Sequence, residues 1–342
     1  MPSFPSLATV HHLLDSSPPH PQSETIAHHI KAHSFEKRMY PYILENFRLT
    51  TGSLSETIFL SQLVQSEAMA AAFKGWRAKW GNERHCGGAL VWQFNDVWPS
   101  VSWSITSFLG SQPKQAFYAI SRSLASVTLL IRRISTDPKP NSQVEALCAN
   151  KTSHAGAAKL HSTPHIYPPK KSCVSVVLSN ITPCDYAAAR VEVRYISLAT
   201  GVSTTVFSAE VGVAANANVS LWNAEVPEDE PTLVYAVLFG PGGDVVAARD
   251  VDWPQPVKFV GDGGGFRELG VGDGELRVEW QQGGVQVSTE KAVKAVWFEE
   301  MPAEKWENNC VDLVPGETLG IRVEGLEMGV EGEGRRVWWY GW

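Results

Sequence analysis

Cys86-Gly-Gly-Ala-Leu-Val-Trp-Gln-Phe-Asn-Asp-Val-Trp-Pro-Ser-Val-Ser-Trp103 sets a short apolar run directly ahead of a cluster of aromatic and polar side chains. Ala89 to Trp92, introduced by Gly87 and Gly88, suits a strand buried on both faces. Gln93, Asn95 and Asp96 crowd at its C-terminal end beside Trp92, Trp98 and Trp103. In a parallel α/β barrel that end of the strands carries the active site. Aromatic rings mixed with amides and a carboxylate have the composition of a sugar-site rim.

The flanking sequence extends this pattern to helix, helix, strand, helix over residues 1–126. Proline-rich sequence through Pro21 gives way to a helix expected over Glu36 to Phe47. Ser53-Leu-Ser-Glu56 is a capping box, in which the serine hydroxyl caps the first turn and the glutamate reaches back to the cap amide. Ile58, Leu60, Leu63, Val64, Met69, Ala72, Phe73 and Trp76 follow at helical spacing, with Gly81 as the stop. A strand over 89–94 and a helix from Lys114 to Leu124 complete a strand–helix unit.

Beyond Ala125 the texture changes to short alternating runs, the pattern of β-sandwiches. Val127–Ile131, Val174–Leu178, Ala189–Ile196, Val202–Phe207 and Leu233–Leu238 are strands by this reading. Residues 135–140 and 152–171, rich in Pro, Ser and His, read as surface loops. Two prolines in Asp252-Trp-Pro-Gln-Pro256 interrupt the ladder and mark a boundary. Glu275–Gln281, Gly284–Thr289, Ala292–Glu299 and Thr318–Glu324 then suffice for a second small sandwich, with Val337–Trp342 as an edge strand or docking tail. The division is therefore 1–126, 127–254 and 255–342.

The opening stretch resembles the last barrel strand of the β-mannosidases, a branch of the retaining glycosidases that also contains β-galactosidases and β-glucuronidases. The resemblance continues through Gly110-Ser-Gln-Pro-Lys-Gln-Ala-Phe-Tyr-Ala-Ile-Ser-Arg122, similar to the family's closing helix, and through Val311-Asp-Leu-Val-Pro-Gly-Glu317 of its terminal β-domain. It implies the C-terminal part of a (β/α)8 barrel followed by two immunoglobulin-like β-sandwiches. It also implies a retaining exo-β-mannosidase acting on β-mannoside oligosaccharides, with no cofactor and no metal. Retaining chemistry needs two carboxyl groups about 5–5.5 Å apart. The family's nucleophile lies in a Glu-Phe-Gly motif, which is absent here, and Met1-Pro-Ser-Phe-Pro-Ser-Leu7 resembles the sequence just after it. Both catalytic glutamates are accordingly expected upstream of Met1, leaving this chain none and making it inactive alone. A complete barrel takes about 250 residues, so roughly half of one is expected to be missing.

The resemblance further implies that Trp92 is the aromatic platform beneath the −1 sugar. Asn95 and Asp96 are candidates either to bind sugar hydroxyls or to brace the loop; Trp98 is a candidate for the site and, with Pro99, for shaping that loop. Asn82-Glu83, the chain's one Asn-Glu pair, is expected in a helix-to-strand loop away from the chemistry. The eight tryptophans from Trp222 to Trp342 are expected to fill core or domain contacts. His28, His29 and His33 include an i,i+4 pair but form no His-Glu-x-x-His, and read as a solvated face. Asp15, Glu24 and Glu45 read as solvated too. Gly261–Gly265 and Gly270–Gly274 lie between β-runs with no following helix, so they read as hairpin loops rather than phosphate cradles.

Bulk properties narrow the partners. The chain has 342 residues, 44% hydrophobic and 19% charged, ample for a core. Residues 1–126 carry 10 Lys+Arg and 8 Asp+Glu and the remainder 19 and 28, so no basic face calls for nucleic acid. No apolar run is long enough to span a membrane. Five cysteines without a Cys-x-x-Cys read as free thiols. Sequons occur at Asn150, Asn180 and Asn218. No signal peptide is visible, which an upstream start would make uninformative, and the resemblance to the signal-less fungal branch implies the cytoplasm, with secretion as the alternative. The rival reading is a non-catalytic carbohydrate-binding or interaction protein built on the two sandwiches. A third, an independent hydrolase using Asp96 and another acid, needs two acids in register that a partial barrel cannot hold.

Overall fold

A computed structural model describes residues 1–13, 20–30, 35–81, 85–135, 172–226, 230–240, 246–260, 264–269, 275–301, 303–326 and 335–342. Five helices come first: α1 (Leu7–Leu13), α2 (Glu24–His29), α3 (Phe35–Asn46), α4 (Leu54–Arg77) and α5 (Gln115–Ser123). The capping box forms with a variation. Ser53 Oγ accepts from Glu56 N at 3.1 Å, while the Glu56 carboxylate takes the amides of Thr50, Thr51 and Gly52 at 2.6–2.8 Å in place of the cap amide. These donors hold the buried Glu56 carboxyl below its ordinary range although burial pushes it up. α4 ends at Arg77, short of Gly81, whose φ of +105° and closeness to the Asn218 backbone leave it outside the helix.

The expected strand over 89–94 does not form. Leu90 is 95% exposed and Phe94 57%, and the segment has no ladder partner among the described residues. An apolar run becomes a buried strand only where a neighbouring edge supplies hydrogen bonds and both faces are covered, and neither is provided here.

The β-rich remainder is antiparallel throughout. The first sandwich pairs a sheet ordered β1 (Val127–Ser135), β2 (Ser172–Asn180), β5 (Ala217–Val226) with one ordered β4 (Ser203–Val213), β3 (Tyr186–Ser197), β6 (Thr232–Phe239), β7 (Val246–Asp252). β5 and β7 escaped the sequence reading because half-exposed polar residues dilute their alternation. The second sandwich pairs β12 (Lys305–Trp306), β14 (Thr318–Glu324), β10 (Gly284–Thr289), β9 (Leu276–Gln281) with β13 (Val311–Leu313), β11 (Val293–Phe298), β15 (Val337–Gly341), β8 (Gly265–Glu268). β15 is neither edge nor tail. It lies between β11 and β8 with every residue buried, because its Val-Trp-Trp-Tyr run supplies apolar side chains to both faces.

β6 shows how the parts are joined. Val234, Ala236 and Leu238 point into the first sandwich's own core, whereas Leu233, Tyr235 and Val237 join a core shared with the helices and the second sandwich. A strand's period of two thus serves two cores at once. In the shared core Ile58, Phe59, Leu60 and Leu63 of α4 lie with Trp297, Trp338 and Trp339. Each such side chain contributes about 1.5–3 kcal/mol by burial.

Polar contacts fix the same junctions. Arg122 of α5 donates to Asn308 Oδ1 (2.6 Å) and to the carbonyls of Asn309 and Cys310 (2.8 and 2.9 Å). Buried Lys294 pairs with Glu67 of α4 at 2.9 Å, and Trp253 Nε1 donates to Asp312 at 2.8 Å. Arg249 pairs with Glu317 at 2.7 Å, tying the sandwiches together. Arg77 donates to Ser179 Oγ at 2.7 Å, and Lys74 meets Asp250 at 2.6 Å. The prolines after β7 therefore sit at a packed junction, with Trp253 only 2% exposed.

Cys86, Cys173, Cys184 and Cys310 are free thiols. Among the described residues no helix is long and apolar enough to cross a membrane, and none forms a metal-ligating cluster. Asp15, His33, Asn82-Glu83, Cys148, Asn150 and the loops over 136–171, 261–263 and 270–274 lie outside the described residues.

Candidate functional site

The segment from Trp92 to Thr106 folds back on itself. Ile105 N donates to the carbonyls of Gln93 and Phe94 (3.2 Å each), and Thr106 N and Oγ1 both reach Phe94 O, at 3.0 and 2.9 Å. The Trp92–Gln93 peptide is cis. Three elements clamp this loop: Ser3 bridges Ser102 antiparallel, Ile30 after α2 bridges Val101 parallel, and Lys114 N, at the cap of α5, donates to Ile105 O at 2.9 Å.

The four candidate residues separate. Trp92 is 79% exposed, and Asn95 is exposed with its amide on Asp96 O at 3.2 Å. Asp96 is turned inward, 5% exposed, and both of its oxygens are occupied. Oδ1 accepts from Ser102 Oγ at 2.5 Å and Gln93 Nε2 at 3.3 Å, and Oδ2 from Ser104 Oγ at 2.5 Å. Trp98 is half-buried and stacks on His29, centroids 4.5 Å apart and planes 26° from parallel. His29 Nδ1 is 2.8 Å from Pro99 O, so this histidine belongs to the loop's support rather than to a solvated face.

Beneath the loop lies a polar layer that sequence reasoning missed. Gln65 of α4 accepts from Ser3 Oγ at 2.8 Å and donates to Trp103 O at 2.9 Å and Met1 O at 3.0 Å. Lys114 is fully buried with its ammonium 3.4 Å from Ser3 Oγ. Burial lowers its pKa to about 8 although the Asp96 charge acts to raise it. One signal was available: Ser100, Ser102 and Ser104 alternate, and all three are buried, which an apolar-pattern search passes over. For Lys114 the sequence gives no signal, since a lysine at a helix cap is ordinarily solvated.

The chain thus presents an exposed tryptophan and amide on a rigid polar base, beside two β-sandwiches. Solved structures of the exo-chitosanase CsxA of Amycolatopsis orientalis share the fold: one in complex with PNP-β-D-glucosamine superposes with a TM-score of 0.61 at 14% identity over 94% of this chain and 38% of that one. A second, described as an exo-β-D-glucosaminidase, gives 0.60 at 15% over the same shares. Residues 172–258 match the Mannosidase Ig/CBM-like domain. β-Mannosidase B of Aspergillus niger is 34% identical over 334 residues, 95% of this chain and 36% of its own length. β-Mannosidase B of Emericella nidulans is 32% identical over 337 residues, 96% of this chain and 36% of its own. The chain belongs to the β-mannosidase family and spans about a third of the length of the curated relatives it matches.

Proposed function

We propose that this chain is the sugar-loop and sandwich portion of a retaining exo-β-mannosidase that removes terminal non-reducing β-D-mannose from oligosaccharides. The observation that carries this reading is the similarity to β-mannosidase B over 95% of the chain, which includes the Trp92 loop. In this reading residues 1–126 belong to the closing part of a (β/α)8 barrel, and 127–254 and 255–342 are its two immunoglobulin-like sandwiches.

The chemistry would be double displacement. One carboxylate attacks the anomeric carbon while a carboxylic acid protonates the leaving oxygen, and water then releases the glycosyl-enzyme. Residues 1–342 contain no Glu-Phe-Gly, and the buried acids described here are held in structural contacts. This portion's work is therefore binding and orientation. The Trp92 ring offers an apolar face to the pyranose, and the Asn95 amide a donor and an acceptor to its hydroxyls.

Two proteins test the reading: these 342 residues alone, and the same residues joined to the N-terminal two-thirds of the A. niger relative. The joined protein is expected to hydrolyse p-nitrophenyl β-D-mannoside and to release β-mannose first, and the shorter chain to show no turnover above background. An inactive, well-folded joined protein, or turnover by the short chain that survives purification to homogeneity, overturns it.

A further inference from the structure

We propose that Asp96 and Lys114 are positioning residues of the sugar loop, a buried pair of opposite charges linked through Ser3 and Ser102 that fixes where Trp92 and Trp98 stand. The functional side of the proposal rests on the reading of Trp92 and Asn95 as sugar contacts.

The Asp96 carboxylate has no free face for a ligand, because Ser102, Ser104 and Gln93 take both oxygens and the residue is 5% exposed. Neutral hydroxyls alone are poor compensation for a buried carboxylate, whose removal from water costs several kcal/mol. Lys114, fully buried at the cap of α5, is the cation on which the Asp96 charge acts. The two do not form a direct ion pair. The ammonium reaches Ser3 Oγ at 3.4 Å, Ser3 N donates to Ser102 O at 2.9 Å, and Ser102 Oγ closes on Asp96.

These contacts join the N-terminal segment, the returning 100–106 segment and the cap of α5 to a single carboxylate. On the solvent side of that carboxylate stand Trp92 at 79% exposure, Phe94 at 57% and Val97 at 88%. Side chains so exposed have little packing of their own to fix them, so their position is inherited from the base. Gln93 passes the constraint to Trp92 through its amide on Asp96. The far end of the loop is held by His29 against Trp98.

The test uses the 342-residue chain labelled with 5-fluorotryptophan, the Trp92 and Trp98 resonances being assigned with Trp92→Phe and Trp98→Phe. Asp96→Asn and Lys114→Met are each expected to shift or broaden both resonances and to leave those of Trp253 and Trp338 in place. The double variant, with no unmatched charge, is expected to move them less than either single change. Ser104→Ala keeps both charges and the fold, and is expected to give a smaller shift of the same kind. In the joined enzyme Asp96→Asn is expected to lower kcat/KM at least tenfold, with kcat reduced as well as KM raised. Unmoved resonances in Asp96→Asn or Ser104→Ala, or a wild-type kcat/KM in an active Asp96→Asn enzyme, overturn the proposal. Moved resonances in a protein that cleaves no β-mannoside support the positioning role while removing the sugar reading.

Discussion

The Tyr118 hydroxyl of α5 donates to Glu300 Oε1 at 2.5 Å, and Asn309 Nδ2 donates to the same oxygen at 3.0 Å, across the junction between the helices and the second sandwich. Burial pushes the Glu300 carboxyl up to about 7, more than these two donors and the nearby Glu304 charge alter it, and the same burial with the Glu300 charge pushes the Tyr118 phenol far above its usual range. Gln112 Nε2 donates to Glu300 O at 2.6 Å, so the residue is held by its backbone as well.

The pH dependence of stability follows from that displacement. The folded protein holds the Glu300 proton up to about 7 and the unfolded chain releases it near 4.5. Folded molecules therefore bind more protons between these values, and stability falls as pH rises through them. Glu300→Gln keeps an acceptor for Tyr118 and cannot ionise. Urea unfolding at pH 5 and pH 8 should show the wild type losing on the order of 1–3 kcal/mol more than the variant over that interval. Parallel losses in the two proteins would mean that Glu300 ionises as in water.

Two sequons should stay unmodified in the folded protein. The Asn180 amide donates to Cys184 O at 2.8 Å and Ala214 O at 3.2 Å, and its carbonyl accepts from Thr182 N at 2.9 Å. Asn218 donates to Arg77 O and Trp80 O at 2.8 and 2.7 Å, closing the end of α4 onto β5. A glycan on either nitrogen would displace these bonds. Protein expressed in a glycosylating host should show no glycan at either site by peptide mass mapping. Asn180→Ala, which leaves buried carbonyls unpaired, should cost about 1–3 kcal/mol of stability. Glycan found at Asn180 in natively folded protein would contradict this packing.

Proteolysis should report the same architecture from outside. Leu90 is 95% exposed, Trp92 79% and Phe94 57%, in a segment with no strand or helix. α4 and α5, by contrast, share their core with the second sandwich. Brief digestion with chymotrypsin should therefore cut between 90 and 97 before it cuts within 54–77 or 115–123. Early cleavage inside α4 would show that the helices are not packed as described.

How much of this was legible depended on whether a residue's environment was local. The Ser53 cap, the body of α4, and β10 and β14 at their stated limits could be read because a periodic pattern and its caps lie within one segment. The burial of Trp253, Trp297, Trp306, Trp338 and Trp339 followed from their type. Ala89–Phe94 was misread because burial of a strand is decided by its neighbours, and its own residues cannot say whether those neighbours are present. β15 was misread for the converse reason: a terminal run gives no sign that β8 and β11 will flank it. In the loop, the sequence located Trp92, Asn95, Asp96 and Trp98 but not their orientations. Asp96 turns inward because Ser102 and Ser104 wait there, and Lys114 and Gln65 reach that layer from helices distant in sequence.

Trp92 and Trp338 should separate function from stability most cleanly. Trp92 is 79% exposed, so Trp92→Ala removes little packing and should leave the melting temperature of the 342-residue chain within a degree or two of wild type, about the scatter of surface substitutions. Trp338 is 2% exposed between Phe266 and the helices, and Trp338→Ala should cost about 3–5 kcal/mol. In the joined enzyme the order reverses for catalysis. A ring stacked beneath the sugar is worth roughly 1–3 kcal/mol by analogy with other aromatic platforms, and more of it is realised as the sugar flattens towards an oxocarbenium ion. Trp92→Ala should thus lower kcat/KM by about 5- to 150-fold, with kcat falling too. Should a stable Trp92→Ala enzyme keep wild-type kcat/KM on p-nitrophenyl β-D-mannoside, the exposed ring serves some purpose other than the sugar.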